Sequence, residues 1–241
     1  MDGLKLKSMK HTPTSVCLVF LLVATGCLSI FTDKCGDSIN LGDFRLMPES
    51  KADWFPYLNL PELTFSNSAG KTITLRSLTR EETMTFHSLG EICREGWADS
   101  AEEYFMGEWL HYVYGGSFDG ISYELSMVLY VDPDRSLYTR GQAVSSILYD
   151  IVSYHSLTSR DPDIGVGGSV YLITSYRGNT NVAEDLNFLD WDDFAEEIII
   201  NGVAYDDVWY FNREGVPSLY VQKDRGIIAF AGMDDEVWVL Q

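Results

Sequence analysis

The sequence predicts an all-β protein whose strands form an antiparallel sheet, arranged as a meander, a sandwich or a partly open barrel. Short runs of alternating apolar and polar residues recur along most of the chain, and turn residues separate them. Aromatic residues favour strands and reach 13% of the composition, while hydrophobic residues reach 46%. A sizeable core can therefore form, with little helix expected beyond an N-terminal signal helix.

The N-terminus has the organisation of a secretory signal peptide. Lys5, Lys7 and Lys10 precede an apolar run over residues 16–24, which small residues then close. The run is too short for a permanent span, because a membrane-crossing helix needs ~20 apolar residues. We therefore predict a signal peptide over residues 1–26.

The end of this run, Val23-Ala24-Thr25-Gly26-Cys27, resembles the lipobox of bacterial lipoproteins. In that family, small residues precede a cysteine that is acylated, with palmitate for example, and becomes the mature N-terminus. Several acyl chains on one residue give stable anchoring, because each buried CH₂ contributes ~0.8 kcal/mol. We expect lipidation at Cys27, and the alternative is an ordinary signal peptide with an incidental cysteine.

The charge balance restricts the partners. The chain has 36 acidic and 17 basic residues, for a net charge of −19. Such a field repels phosphate backbones, so we expect no nucleic-acid partner. The predicted partners are the membrane, through the lipid anchor, and an unknown protein or glycan. The expected location is the cell envelope, anchored at the outer membrane and facing the periplasm or the cell surface.

Two further cysteines predict a disulfide. With Cys27 lipidated, Cys35 and Cys93 remain in an oxidising compartment, where two thiols favour one bridge. The alternative is a pair of buried free thiols.

The mature chain divides into a lipidated tether with an N-terminal arm, residues 27–53, and a β-rich domain, residues 54–241, with a further division near 178–190. Residues 63–65 and 71–75 predict a first hairpin, and 84–86 a third strand. Residues 89–103 are the least strand-like part and predict a loop or one helical turn. Residues 104–114 and 121–131 predict the next strand pair.

Residues 144–155 are ambiguous, because their apolar positions have helical spacing while their composition favours a strand. We favour a strand that pairs with residues 168–176. After residue 196, five short runs separated by tight turns predict an antiparallel meander, in which Asn201-Gly202 suits a type I′ turn.

This C-terminal region resembles a group of Bacteroidetes lipoproteins of uncharacterised function. The resemblance rests on the Asn201-Gly202 hairpin, Tyr220, the stretch 223–230 and Trp238-Val239-Leu240, and extends loosely to Cys35 and residues 54–57 and 63–75. It implies a secreted, lipid-anchored β protein and brings no catalytic residues.

No motif in the sequence predicts a catalytic, cofactor or metal site. His87, His111 and His155 lack the spacing of a zinc motif, and neither Gly116-Ser117 nor Gly168-Ser169 completes G-x-S-x-G. The acidic runs 190–193 and 234–236 lack the pattern of a calcium loop. A hydrolase with an acidic site stays as an alternative, because the separation of two carboxylates cannot be read from sequence.

Tryptophans provide the remaining candidates for a binding site. Trp209, Trp238 and Phe230 lie in the predicted meander and are expected in the core. Trp97, Trp109 and Trp191 lie near predicted loops and are the candidates for stacking on a ligand. The leading hypothesis is a non-enzymatic, lipid-anchored envelope protein, and the alternative is a cell-surface glycan- or protein-binding module.

Overall fold

A computed structural model describes residues 37–95, 99–161, 164–177, 193–213, 216–232 and 236–241. Twelve strands form one sheet, and every strand pair with a described register is antiparallel, which confirms the all-β prediction. The strands are β1 (Ile39–Phe44), β2 (Glu62–Ser66), β3 (Thr72–Glu95), β4 (Asp99–Phe118), β5 (Ile121–Pro133), β6 (Leu148–Asp161), β7 (Ile164–Tyr176), β8 (Asp193–Ile200), β9 (Val203–Arg213), β10 (Val216–Gln222), β11 (Gly226–Ala231) and β12 (Val237–Leu240). The described residues also contain one α-helix, α1 (Pro48–Trp54), and a 3₁₀ turn (Val144–Ser146).

The chain divides into two compact units. The smaller unit comprises residues 1–39 and 91–102, and the larger unit comprises residues 40–90 and 103–241. In the smaller unit, the backbone N–H of Glu102 donates to the Ser38 hydroxyl at 3.1 Å. The larger unit holds the hydrophobic core and the sites described below.

The strand order is β7-β6-β5-β4-β3-β2-β12-β11-β10-β9-β8, and β1 also pairs with β4. Two runs of sequential neighbours, β2 to β7 and β8 to β11, are thus joined by β12, which pairs with β11 on one side and with β2 on the other. Within the larger unit, β6 and β7 contact β10, so the sheet curls around the core.

Tight turns join the hairpins where the sequence predicts them. Asn201 and Gly202 have φ angles of 49° and 81°, as the type I′ turn between β8 and β9 requires. Asp119 and Gly120 have φ angles of 50° and 76° at the turn between β4 and β5. The predicted meander from β8 to β12 is confirmed.

The strands in the middle of the chain are longer than the sequence predicted. The hairpin of β2 and β3 is confirmed, but residues 84–86 continue β3 and are no separate strand. The prediction of a loop or helical turn over 89–103 is wrong, because β3 runs to Glu95 and β4 begins at Asp99. The local composition does not favour a strand, but the backbone hydrogen bonds between β3 and β4 stabilise one.

The strand favoured for residues 144–155 is present and begins at Leu148, directly after the 3₁₀ turn Val144–Ser146. β6 pairs with β5 on one side and with β7 on the other. Its inward positions carry Leu148, Val152 and Tyr154, which are fully buried. The helical spacing of the apolar residues therefore reflects burial on both faces of a strand near the core.

The main core is rich in aromatic residues and lies in the larger unit. Phe55, Phe65 and Phe105 are fully buried there, as is Trp238, and Trp209 is partly buried against the core. A second, smaller cluster packs on the other face of β11 and β12 and includes Ile200, Tyr205, Val208, Ile228, Ala229 and Val239. The expected core positions of Phe230 and Trp238 are thus confirmed, while Trp209 is partly buried at the edge of the core.

Helix α1 was not predicted, and buried ionic contacts hold it and its N-terminal flank on the sheet. Pro48 takes its first turn, where a missing N–H costs nothing. The Lys51 ammonium lies 2.8 Å from the Glu108 carboxylate. Asp150, fully buried, accepts from the Met47 N–H at 2.7 Å and lies 2.6 Å from the Arg177 guanidinium.

Within the described ranges, no helix has the length and apolar character needed to cross a membrane. The signal-peptide residues and Cys27 lie outside those ranges, so lipid anchoring stays a prediction.

Candidate functional site

A shift in the side-chain alternation of β4 decides which residues reach the outer surface of the sheet. Phe105 and Gly107 are buried, and Glu108 and Leu110 are buried too, so two adjacent buried residues interrupt the period of two. An extra residue at such a point is typical of a β-bulge. Beyond this shift, Trp109, one of the three predicted stacking tryptophans, faces away from the main core.

Strand register places three rows of four residues side by side on β4, β5, β6 and β7. Trp109, Tyr130, Ile151 and Ile173 form the first row, His111, Val128, Ser153 and Tyr171 the second, and Val113, Ser126, His155 and Ser169 the third. We call these twelve residues the outer face. Their chain neighbours on β4 to β6, such as Leu110, Leu129 and Val152, point to the main core and are buried.

The outer face contains no Asp, Glu, Lys or Arg. At the chain's average of 22% charged residues, twelve positions would hold between two and three. Carboxylates begin in the adjoining rows, with Asp132 beyond the first row and Glu124 beyond the third. A ligand that binds this uncharged patch does not have to remove water from a charged side chain of the protein, which favours a neutral ligand.

Solvent reaches the aromatic rings of the outer face. Tyr171 is exposed, and Trp109, Tyr130 and His111 are partly buried. The Trp109 and His111 rings lie 5.1 Å apart, which fixes the indole beside the imidazole. Burial raises the pKa of Tyr130 to about 12, so its hydroxyl is a neutral donor at physiological pH.

Two histidines of the outer face contact serine hydroxyl groups. The His111 Nε2 lies 3.0 Å from the Ser126 Oγ, and the His155 Nδ1 lies 2.7 Å from the Ser169 Oγ. Burial lowers the pKa of His155, and the electrostatic influence of nearby His111 lowers it further. The His155 Nε2 also lies 3.3 Å from the Ser153 Oγ, so both ring nitrogens of His155 contact serine hydroxyls.

A separate cleft of about 170 Å³ lies in the larger unit, where the segment after α1 meets β3 and β4. Its lining residues are Tyr57, Leu58, Asn59, Leu60, Pro61, Ser77, Arg80, Tyr112 and Tyr114. Ligand sites usually enclose ~300–1,000 Å³, so this cleft is small for a drug-sized molecule.

The polar groups at the cleft are largely engaged with one another. The Arg80 guanidinium lies 3.3 Å from the Glu82 carboxylate and 5.1 Å from the centre of the Tyr112 ring. The Tyr112 hydroxyl donates to Glu82 at 2.7 Å and lowers the pKa of that carboxyl. The Tyr114 hydroxyl donates to the Leu60 carbonyl at 2.9 Å. These contacts stabilise the cleft wall and leave few groups for a ligand.

The structure places only some of the residues that the sequence singled out. Trp109 lies on the outer face, while Trp97 and Trp191 lie outside the described residues. Cys93 lies near the end of β3. Cys27 and Cys35 also lie outside the described residues, so the Cys35–Cys93 bridge stays a prediction.

Sequence reasoning missed the other members of the outer face. His111 and His155 are 44 positions apart, and only the register of β4, β5 and β6 brings them to one surface. The tight turn before β5 was visible, but strand pairing had to be known to align these rows. Among the residues that the structure describes, no three His, Cys, Asp or Glu side chains are grouped as metal ligands would be.

Comparisons with known proteins find no matching family model, no matching curated protein and no matching solved structure.

Proposed function

We propose that the protein is a lipid-anchored protein of the cell envelope that binds a saccharide through the outer face. The observation that carries the binding role is the group of three uncharged rows with partly exposed aromatic rings on β4 to β7. The anchor rests on the signal-peptide pattern and on Cys27, whose surroundings resemble the lipobox of bacterial lipoproteins.

The chemistry of the outer face suits a neutral sugar. The apolar C–H faces of a sugar ring pack on aromatic rings, and Trp109, Tyr130 and Tyr171 provide such rings at the surface. Sugar hydroxyls need partners that can donate and accept hydrogen bonds, and hydroxyl groups and imidazole rings provide such partners. Ser126, Ser169 and the two histidines lie within the same three rows.

Polysaccharide binding tests this role. The purified full-length protein is assayed against an array of neutral and acidic glycans, and the strongest neutral binder is titrated with the variants Trp109→Ala and Tyr171→Ala. We expect each substitution to weaken binding by about tenfold or more, as truncation of a central aromatic contact does. Phe194→Ala is the matched control, because Phe194 is also an exposed aromatic residue but lies on β8.

Unchanged affinity in both outer-face variants would overturn the saccharide proposal, as would an equal loss in Phe194→Ala. Thermal unfolding of each variant, followed by circular dichroism, shows whether a loss of binding reflects a loss of fold.

The anchor is tested by fractionation of cells that produce the protein. Cys27→Ala removes the acceptor thiol, so we expect the protein to move from the membrane fraction to the soluble fraction. Cys93→Ser serves as a control, because it removes a cysteine and leaves the lipobox intact. Retention of Cys27→Ala in the membrane fraction contradicts the anchor.

We also propose a Cys35–Cys93 disulfide in the mature protein. Such a bridge closes a loop of nearly 60 residues, and the chain-entropy estimate of its stabilisation is roughly 4 kcal/mol. Reduction adds two hydrogens to a disulfide, so intact and reduced masses measured after blocking free thiols distinguish the bridge from two thiols. Two blocked thiols without reduction would disprove it.

A further inference from the structure

Strand β8 ends the sheet order. In the part of the chain that the structure describes, β8 pairs with β9 alone, and its other edge carries backbone N–H and C=O groups with no strand beside them. An open edge of this kind is a template for another extended chain. Proteins that recognise extended peptides use such an edge for main-chain hydrogen bonds.

Apolar side chains are exposed along this hairpin. Ile199 is 68% exposed, Val203 is 53% exposed and Phe194 is 49% exposed. The hairpin tip is nevertheless fixed, because the Asn201 Nδ2 donates to the Val237 carbonyl at 3.1 Å and Ile200 packs into the smaller cluster. The exposed residues thus lie on a surface that is already ordered.

The hairpin is also strongly acidic. Glu196 and Glu197 on β8 and Asp206 and Asp207 on β9 are all exposed. The sequence between residues 194 and 212 contains no Lys or Arg. A second copy of this chain paired edge to edge would place carboxylates against carboxylates, which is destabilising. Charge complementarity selects a basic partner instead.

We propose that the open edge of β8 binds an extended segment of another polypeptide that carries two adjacent basic residues between apolar ones. Phe194 packs on Trp209 beside the main core, whereas Ile198 packs against the smaller cluster, so the side-chain alternation of β8 is interrupted at Glu196 and Glu197. Both glutamates are exposed at this interruption.

The required partner sequence follows from these two adjacent exposed glutamates and the apolar residues around them. A strand added beside β8 places one basic residue near each glutamate and β-branched residues beside the apolar positions. Two consecutive lysines between β-branched residues meet this requirement, whether the added strand runs parallel or antiparallel to β8.

The test uses three synthetic peptides and the full-length protein. Peptide TVTKKVVT carries the predicted pattern, TVTEEVVT reverses its charge, and TVPKKVPT keeps its charge but loses two backbone donors to proline. Fluorescence polarisation at low ionic strength measures affinity, and amide exchange by NMR locates the bound peptide. We expect TVTKKVVT to bind at least about tenfold more tightly than either of the other peptides and to slow exchange in β8.

A pair of protein variants separates the edge from general attraction by an acidic protein. Glu196→Gln with Glu197→Gln removes both proposed partners, and we expect it to weaken binding of TVTKKVVT by about fivefold. Glu62→Gln with Glu81→Gln makes the same change of charge at two other exposed glutamates and leaves binding unchanged.

Three results would each overturn the proposal: equal binding of the proline peptide, an equal loss in the two double variants, or no binding of TVTKKVVT at about 1 mM, which is the limit of a weak complex. Each of these results is independent of whether the outer face binds a saccharide.

Discussion

At the scale of single residues, Tyr57 and Gly226 show how distant parts of the chain fix one another. The Tyr57 hydroxyl donates to the carbonyls of Arg225 and Ile227 at 2.9 Å and 3.1 Å. Gly226 lies between them with a φ of +66°, and a Cβ built on it would clash with the Tyr57 ring and hydroxyl. The turn before β11 therefore needs glycine for two reasons, its backbone angle and the space that Tyr57 fills.

Substituting Gly226 tests this dependence. Gly120→Ala costs about 1 kcal/mol, because Gly120 has a φ of +76° but nothing within 4 Å of its added methyl group. We expect Gly226→Ala to lower the free energy of unfolding by ~1–3 kcal/mol more, because the methyl group also displaces Tyr57. Urea denaturation of both variants measures the difference. Equal costs would mean that Tyr57 moves aside freely.

His155 gives the outer face a dependence on pH. Its pKa is lowered in the folded protein from the ordinary value of 6.5, so near and below pH 6.5 the unfolded chain binds a proton more readily than the folded one. The contribution of His155 to stability is therefore complete above pH 6.5 and is lost as the pH falls.

We expect the unfolding free energy of the wild type to fall more steeply between pH 7.5 and pH 5.5 than that of His155→Gln. Ser169→Ala is the control, because it removes the hydroxyl beside the Nδ1 but keeps the titrating imidazole, and its steep dependence should persist. Parallel curves for the wild type and His155→Gln, measured by urea denaturation across this range, would contradict the expectation.

At the scale of elements, α1 is a short helix stabilised by tertiary contacts. Seven residues are too few for a stable isolated helix. Its place depends on Lys51 paired with Glu108, on the Trp54 carbonyl that accepts from the Tyr154 hydroxyl, and on Asp150 beneath its N-terminal flank. The ionic groups are held by several contacts each, so removing one leaves others buried without a partner.

Asp150→Ala tests the ionic contact beneath α1. The Met47 N–H would lose its acceptor and the Arg177 guanidinium its buried carboxylate partner, so we expect a loss of ~3–5 kcal/mol. Lys71→Ala, which removes an ammonium 3.9 Å from the exposed Asp119 carboxylate, should cost less than ~1 kcal/mol. Chemical denaturation compares the two, and similar costs would show that the buried contact is dispensable.

The hairpins of this protein could be predicted from local sequence, and the long strands and the helix could not. Asn201-Gly202 carries its turn type in its own residues, because few other pairs tolerate two positive φ angles. Residues 89–95 have no such signal, and they are strand because β4 lies beside β3. The proline in residues 47–50 indicates a break in the chain, but proline also suits the first turn of a helix. Tertiary contacts decide between a break and a helix.

At the scale of the whole molecule, the fold class followed from composition and alternation, while the outer face did not. Trp109 could be named from sequence, but its neighbours Tyr130 and Tyr171 lie 21 and 62 positions away and reach it only through register. Register is a non-local property, and the shift in side-chain alternation at Gly107 and Glu108 changes which residues of β4 reach the surface. A site built from rows across strands is therefore poorly visible in one sequence.

Trp238 connects the two runs of strands and is the most informative residue for global stability. It lies on β12 in register with Phe230 of β11, and its ring contacts Phe118 at 5.3 Å and Tyr123 at 6.1 Å on the other run. We expect Trp238→Ala to cost ~3–5 kcal/mol, because a fully buried large side chain is lost. Phe194→Ala, at an exposed ring, should change the unfolding free energy little. Comparable urea midpoints would show that the runs are stable without this contact.

The position of β12 has a consequence for the order of events during synthesis. Each run of sequential strands can form hairpin by hairpin during synthesis, because neighbouring strands pair across short loops whose closure costs little entropy. The two runs can join only after residues 237–240 are made, because β12 pairs with Phe65 and Ser66 of β2, more than 170 positions earlier in the chain. Until β12 pairs with β2, the growing polypeptide has two half-sheets with unpaired edge strands, which makes it vulnerable to proteases.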